Sequence, residues 1–219
     1  NTIPSINKAM ELGVDGIEID VFKCKSGELV VFHDERLERL TNSSGFIESL
    51  ELDSIKNIIV LDKYRIPTLE EVLQLIDGQV KLNIELKGYG TASPTNYLIN
   101  QYNNKGGWTE DKFIISSFKW DELEKIRELN MTIPIAVLVN SNVNPIDALP
   151  FAKKIKAIAI NPYFKDLNQK NIEKIQSNGL KVFPYTINEL DDIERMIKLG
   201  VDAIITDYPE RVNKWKGLF

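Results

Sequence analysis

Residues 16–34 read GIEIDVFKCKSGELVVFHD, and this stretch decides which kind of fold the chain can adopt. It opens with a strand-like run, Gly16–Phe22, in which apolar residues alternate with Glu18 and Asp20. Acidic residues are poor strand formers, so their presence in a strand needs a specific reason. A short Ser-Gly connector then leads into Leu29–His33, and a connector of this length predicts a hairpin rather than a crossover.

The composition excludes several classes of protein. The chain has 219 residues, of which 43% are hydrophobic and 27% charged, as is ordinary for a globular protein. A formal net charge of -5 argues against a nucleic-acid partner, which normally requires a basic face. Cys24 is the single cysteine and His33 the single histidine, so an internal disulfide, a cysteine-rich metal site and a three-histidine zinc site are excluded.

The sequence also bears on location. No apolar run approaches the ~20 residues that a membrane helix needs. The start of the chain shows no basic segment followed by an apolar one, as a secretion signal would. We therefore predict no membrane segment in this chain and a cytoplasmic location. The alternative is a domain of a longer extracellular or membrane-attached protein.

Strand-like and helix-like segments alternate along most of the chain, as parallel sheets require. Thr68 and Glu71 form a T-x-x-E capping box that opens a helix, and Gly78 follows its end. Asn188 with Asp191 can begin another helix. The predicted strands are Gly16–Phe22, Leu29–His33, Val80–Lys87, Lys112–Phe118, Pro134–Val139, Ala157–Asn161, Lys181–Ile187 and Ala203–Thr206.

An internal echo indicates stacked β/α units. LGVDGIEID at 12–20 and LGVDAIITD at 199–207 share their spacing and most residue types. Such a repeat is expected of a (β/α)8 TIM barrel, although a doubly wound open sheet could produce it too. No linker interrupts the pattern, so we predict one domain over residues 1–219. Apart from the hairpin strand, seven strands are eligible where a barrel needs eight, which places the first strand upstream of Asn1.

Two predicted strands carry carboxylates on one face. Because side chains alternate along a strand, Glu18 and Asp20 share a face, and NIELK at 83–87 places Glu85 and Lys87 together in the same way. Within a parallel barrel these groups would point inward near the carboxyl ends of the strands. Three converging carboxylates need more positive charge than Lys87 supplies, and Mg²⁺ or Ca²⁺ is the natural compensator. The alternative is a solvated polar face on edge strands.

His33 has two readings from the sequence alone. Its place after the acidic strand, beside Asp34, is compatible with general acid/base work. A single histidine at a strand end can equally be a hydrogen-bonded structural residue.

The motifs as a set resemble the glycerophosphodiester phosphodiesterase family. GVDGIEIDVFKCKSGELVVFHD contains E-x-D-V, a K-x-G turn and V-V-x-H-D in the order of the family signature. Further matches span nearly the whole chain: IPTLEEVL at 66–73, NIELK at 83–87, IISSF at 114–118 and GVDAIITDYP at 200–209. The resemblance implies a (β/α)8 barrel that hydrolyses glycerophosphodiesters to glycerol 3-phosphate and an alcohol.

The resemblance also implies roles for individual residues. Glu18, Asp20 and Glu85 would hold one divalent cation, Ca²⁺ or Mg²⁺. Lys87 would contact the phosphate, and His33 would be one of a pair of acid/base histidines. In the family, the neighbouring glycerol hydroxyl attacks to give a cyclic phosphate, which water then opens.

Two departures from the family pattern bear on function. Family members carry H-R-G on the first strand and then P-E-N-T, whereas this chain begins at the Asn of the second motif, so we expect the second histidine and an arginine upstream. PYTIN at 184–188 stands where Trp-Thr is usual. Tyr185 would keep an aromatic surface for the glycerol moiety, or it is a plain interior residue.

Two other functions remain open at this point. Without the H-R-G strand the barrel could be catalytically incomplete and serve as a module that binds phosphodiesters or a partner. A sphingomyelinase D-like phospholipase would use the same scaffold, but those enzymes usually rely on disulfides, and a single cysteine speaks against that class.

Overall fold

The computed structural model describes residues 1–215 and 217. The chain divides into two compact units, Asn1–Ile133 and Pro134–Phe219. Each unit combines parallel strands with the helices that connect them, so the α/β class predicted from the alternating pattern is confirmed.

The first unit carries the hairpin and the acidic strands. Its strands are β1 (Gly16–Lys23), β2 (Leu29–Val31), β3 (Ile59–Val60), β4 (Tyr64–Arg65), β5 (Lys81–Leu86) and β6 (Phe113–Ser117). Its helices are α1 (Ile3–Glu11), α2 (Leu52–Ile55), α3 (Leu69–Ile76), α4 (Ala92–Tyr102) and α5 (Trp120–Leu129).

Strand β1 lies between two different neighbours. It pairs antiparallel with β2, with Val21 opposite Val31, so the predicted hairpin is confirmed. On its other side it pairs parallel with β5, and β5 pairs parallel with β6. The apolar face of β1 is fully buried, since Ile19 and Val21 are both 0% exposed. The acidic side chains of β1 therefore lie on the opposite face, on the same side of the sheet as the equivalent side chains of β5.

The boundaries of α3 follow from local chemistry. The Thr68 side chain accepts a hydrogen bond from the N–H of Glu71, and the Glu71 carboxylate accepts one at 2.7 Å from the N–H of Thr68. This reciprocal pair satisfies two donors that a helix leaves open at its start. The helix ends at Ile76 with Asp77 as its C-cap, and Gly78 follows in the left-handed region with φ of 64°. The predicted capping box and stop are confirmed.

A hydrophobic cluster lies under the segment between β2 and α3. We call this segment, residues 32–66, the β2–α3 insert. It contains the two-stranded sheet of β3 and β4 and packs onto the hairpin. The buried members of the cluster are Phe22, Cys24, Val30, Phe32, Leu37, Ile47, Ile55, Ile58, Val60 and Ile66.

The second unit contains β7 (Ile135–Val139), β8 (Ala159–Pro162) and β9 (Lys181–Val182). Its helices are α6 (Leu149–Lys154), α7 (Gln169–Gln176), α8 (Leu190–Lys198) and α9 (Pro209–Trp215). The strands pair in parallel in chain order, β7 with β8 and β8 with β9.

Two strands predicted for this unit differ in the structure. Lys181–Ile187 is shortened to β9, and Ala203–Thr206 does not form a regular strand among the described residues. The regular strand ends at Val182, although the Phe183 and Tyr185 N–H groups still donate to the Ile160 and Pro162 carbonyls of β8, at 3.1 Å each. On the other side Pro184 faces residues 203–206: its carbonyl accepts a hydrogen bond from the Ile205 N–H at 3.1 Å, but it has no N–H to donate in return, which interrupts regular pairing there.

The predicted start of α8 was wrong in detail. The helix begins at Leu190, and its N-cap residue Glu189 makes no side-chain capping bond. The Asn188 side chain is used elsewhere, since its amide donates to Asp207 at 2.8 Å and accepts from the Asp207 N–H at 3.0 Å.

No helix in residues 1–215 combines the length and the apolar character needed to cross a bilayer.

Candidate functional site

Three carboxylates meet on the inward-facing side of β1 and β5. Asp20 stands directly opposite Glu85 across the two parallel strands, and Glu18 lies two residues before Asp20 on the same face. One oxygen atom from each of the three carboxylates lies within 4.8 Å of the others. Asp20 is 3% exposed and Glu85 8% exposed. The predicted convergence of the acidic strands is therefore present, and the alternative of a solvated polar face does not hold.

Crowding and burial make the acidic cluster electrostatically unfavourable by itself. Burial, together with the charges of Asp20 and Glu85, raises the pKa of Glu18 well above its usual value. Although Glu18 keeps part of its surface exposed, its carboxyl group is desolvated. Burial and the neighbouring Asp20 raise the pKa of Glu85 to about 7. A cluster of this kind attracts positive charge, because a nearby cation favours the ionised form of each carboxyl group.

Lys87 supplies part of that charge. Its Nζ lies 3.1 Å from Oδ1 of Asp20 and 3.5 Å from Oε1 of Glu85. Burial lowers the pKa of Lys87, but the attraction of Asp20 and Glu85 outweighs it, so the pKa is raised overall. Lys87 is therefore a cation that faces the acidic cluster directly, as the sequence predicted.

Asn1 is a member of the site that sequence reasoning missed. Its Nδ2 donates to Oδ2 of Asp20 at 2.8 Å, and its Oδ1 accepts from the Asp20 N–H at 2.9 Å. The two bonds fix the Asp20 carboxylate relative to its own backbone. The available signal was the motif resemblance, which identified Asn1 as the Asn of P-E-N-T without assigning it a contact.

His33 reaches the same cluster from the end of the hairpin. Its Nδ1 lies 2.5 Å from Oδ1 of Asp34, and its Nε2 lies 3.5 Å from Nζ of Lys87. The imidazole is more than half exposed, so it borders the site rather than filling its interior. The structure thus brings His33, Lys87 and the three carboxylates together.

Tyr185 lies in the second unit. Its hydroxyl donates a hydrogen bond to the Val139 carbonyl at 2.7 Å, and its ring centroid lies 6.1 Å from that of Tyr163. Its predicted contact with a glycerol moiety stays a prediction.

The acidic cluster fits a hard divalent cation. Its donors are carboxylate oxygens, the ligand type that Mg²⁺ and Ca²⁺ prefer. Burial, and then repulsion between the carboxylates, raise the pKa values of Glu18 and Glu85 even with Lys87 beside them, so a further positive charge would favour their ionised forms.

Comparison with known proteins gives the family. The model of the glycerophosphoryl diester phosphodiesterase family matches residues 1–211. The class is thus that of the phosphoric diester hydrolases, and the chain belongs to the glycerophosphoryl diester phosphodiesterase family.

Individual relatives agree with this assignment. The chain is 37% identical over 223 residues to a glycerophosphodiester phosphodiesterase of Caldanaerobacter subterraneus subsp. tengcongensis, covering 96% of this chain and 89% of the relative. It is 31% identical over 242 residues to a glycerophosphodiester phosphodiesterase of Bacillus subtilis, covering 99% and 81%. An Oleispira antarctica phosphodiesterase, solved in complex with the product sn-glycerol-3-phosphate, is similar with a TM-score of 0.87 at 25% identity, covering 98% and 90%. These likenesses confirm the predicted fold class, the (β/α)8 barrel.

Proposed function

We propose that this protein hydrolyses glycerophosphodiesters to glycerol 3-phosphate and an alcohol, with one divalent cation held by Glu18, Asp20 and Glu85. The observation that carries the proposal is the convergence of these carboxylates and Lys87 in one site. Membership of the phosphodiesterase family and the names of the relatives support the same activity.

The residues of the site divide the work as follows. A bound cation would supply positive charge that balances the phosphodiester group. Lys87 lies beside the carboxylates that would hold the cation. Its ammonium group carries donors for an anion, so it neutralises a phosphate oxygen of the substrate. His33 moves a proton at Nε2, the ring nitrogen that faces Lys87.

The choice of cation is part of the proposal. Carboxylates alone accept both Ca²⁺ and Mg²⁺, and we infer that either ion supports the reaction. The decisive comparison is titration of each ion into chelator-treated protein, followed by activity at matched occupancy.

A single family model spans residues 1–211, which supports one phosphodiesterase-like domain over the chain. Tyr185 offers an aromatic face to the glycerol moiety. The substrate is a small molecule of glycerol and lipid metabolism, and the location is cytoplasmic.

The test is release of glycerol 3-phosphate from a panel of glycerophosphodiesters by the full-length protein, with and without a chelator. We expect release that requires a divalent cation and that Glu85→Gln abolishes. Glu11→Gln is the matched control, since Glu11 is an exposed residue of α1 that pairs with Lys8. The proposal fails if release is unaffected by chelation, or if the two variants behave alike.

The same assay addresses the binding-module alternative, which the relatives do not favour. A module of that type would bind the diester in a cation-dependent way and release no glycerol 3-phosphate.

A further inference from the structure

Arg39 forms a two-point contact with Asp34 in the β2–α3 insert. Its Nε donates to Oδ2 and its Nη2 donates to Oδ1, each at 2.6 Å. A planar guanidinium that bonds both oxygens of a carboxylate fixes the plane of that carboxylate as well as its position. Asp34 is therefore held in a single orientation.

The orientation of Asp34 determines the protonation pattern of His33. Asp34 is ionised near neutral pH, as an ordinary aspartate is, and hydrogen bonding from Arg39 lowers its pKa further to about 2, so it can only accept hydrogen bonds. Its Oδ1 lies 2.5 Å from Nδ1 of His33, and Nδ1 must then carry the proton. In the neutral imidazole this leaves the lone pair on Nε2, which faces Lys87.

We propose that Arg39 is a positioning residue that acts through Asp34 to hold His33 as the Nδ1–H tautomer, so that Nε2, which faces Lys87 beside the acidic cluster, is a proton acceptor. The role in turnover rests on the proposed function, whereas the tautomer does not. Within the described part of the chain, the hydrogen bonds and ion pair of Arg39 go to Asp34 and not to Lys87 or the acidic cluster of Glu18, Asp20 and Glu85.

A purely structural ion pair is the competing explanation, and the insert contains a control for it. Arg36 donates to Glu38 at 2.6 Å and lies over the Phe46 ring, with its side chain 54% exposed against 62% for Arg39. Both arginines thus pair with one carboxylate in the same segment and at similar exposure. Only Arg39 is linked to His33, so Arg36→Gln removes a comparable ion pair without touching the histidine.

The single histidine of the chain makes the tautomer directly measurable. Selective ¹⁵N labelling of histidine gives one pair of ring-nitrogen signals, recorded at alkaline pH where imidazole is neutral. In the unaltered protein and in Arg36→Gln we expect Nδ1 to be protonated and Nε2 to be bare. In Arg39→Gln we expect the two signals to move toward the average of both tautomers.

Two outcomes overturn the proposal. One is an unchanged Nδ1–H signature in Arg39→Gln, and the other is an equal change in both variants, which would indicate a general disturbance of the insert. Arg39→Lys, which keeps the charge but not the fork, should show an intermediate tautomer population.

Turnover supplies a second readout that separates this proposal from the proposed function. Arg39→Gln should reduce kcat about 10-fold with KM and cation affinity unchanged, since supporting residues of this kind typically contribute 10–100-fold. An equal loss in Arg36→Gln, or a loss confined to KM, contradicts the positioning role. If no diester is hydrolysed at all, the proposed function fails, and the ¹⁵N experiment still decides the role of Arg39.

Discussion

Lys87 Nζ lies 3.1 Å from Oδ1 of Asp20, so an ammonium from the end of one strand neutralises a carboxylate on its parallel neighbour. Asp20 also accepts a hydrogen bond from Asn1, and Glu85 stands beside it in register. Charge balance in the site therefore depends on partners from separate parts of the chain.

Replacing Lys87 with Met should destabilise the protein most when no divalent cation is present. Asp20 and Glu85 would lose their cationic partner while staying largely buried, which should lower the free energy of unfolding by about 2 kcal/mol. Denaturant titration in a chelator measures this loss, and adding Ca²⁺ or Mg²⁺ should recover much of it. Lys8→Met, which removes an exposed lysine, should behave like the unaltered protein in both buffers.

Replacing Asn1 with Ala should weaken cation binding about 10-fold, because the Asp20 carboxylate loses the amide that orients it. Isothermal titration of chelator-treated protein gives the affinity directly. Asn7→Ala in α1 is the control and should leave the affinity unchanged. Equal affinities for both variants would show that Asn1 does not orient Asp20.

Replacing His33 with Gln should lower kcat by about 100-fold or more, since a positioned proton-transfer group contributes 10²–10⁴-fold. Cation affinity should change little, because His33 borders the carboxylates through Lys87 rather than contacting them. Steady-state kinetics and cation titration on the same preparation separate the two effects. A parallel loss of cation affinity would assign His33 to the cation site instead.

The Asp34–Arg39 pair should make stability fall in acid. Hydrogen bonding from Arg39 holds the pKa of folded Asp34 at about 2, below its ordinary value of 3.8, so its stabilisation is complete above pH 5 and is lost as the pH falls toward 2. Because Arg39 is exposed, we expect a contribution of only about 1 kcal/mol. Between pH 6 and pH 2, the free energy of unfolding should therefore fall less steeply with decreasing pH for Asp34→Asn than for Asp53→Asn. Identical slopes would show that the pair does not stabilise the fold.

Gly78→Ala should cost far more stability than Gly13→Ala. Both positions have positive φ, 64° and 70°, so both variants strain the backbone. A Cβ at position 78 would lie 2.2 Å from backbone atoms of Gly107, whereas a Cβ at position 13 meets nothing within 4 Å. We expect a difference of about 2 kcal/mol in the free energy of unfolding. Similar losses would mean that the contact with Gly107 relaxes freely.

Much of the fold could be predicted because local signals agreed with the final structure. The alternation of Glu18 and Asp20 with buried residues fixed the inward face of β1, and the register with β5 then placed Glu85 opposite Asp20. The capping box of α3 was equally local, since Thr68 and Glu71 bond within one turn. Patterns of this kind depend on spacing along the chain, which the sequence contains in full.

The parts that could not be predicted depend on contacts between distant segments. Pro184 has no N–H to donate toward residues 203–206, and this effect becomes visible only when that neighbouring segment is known. Asn188 is a good capping residue in isolation, yet its amide bonds to Asp207 instead. Asn1 likewise has no local signature of its role, because its partner Asp20 is 19 residues away.

The β2–α3 insert shares a hydrophobic cluster with the hairpin, and it carries Asp34 and Arg39 together with His33. Opening of the insert would leave the parallel pairing of β1 with β5 intact, and local opening of this kind can cost less free energy than global unfolding. We therefore expect gentle heating to open the insert with His33, Asp34 and Arg39 first, while the carboxylates on β1 and β5 stay close together. We expect a warmed sample to bind the proposed divalent cation after it has ceased to turn over substrate.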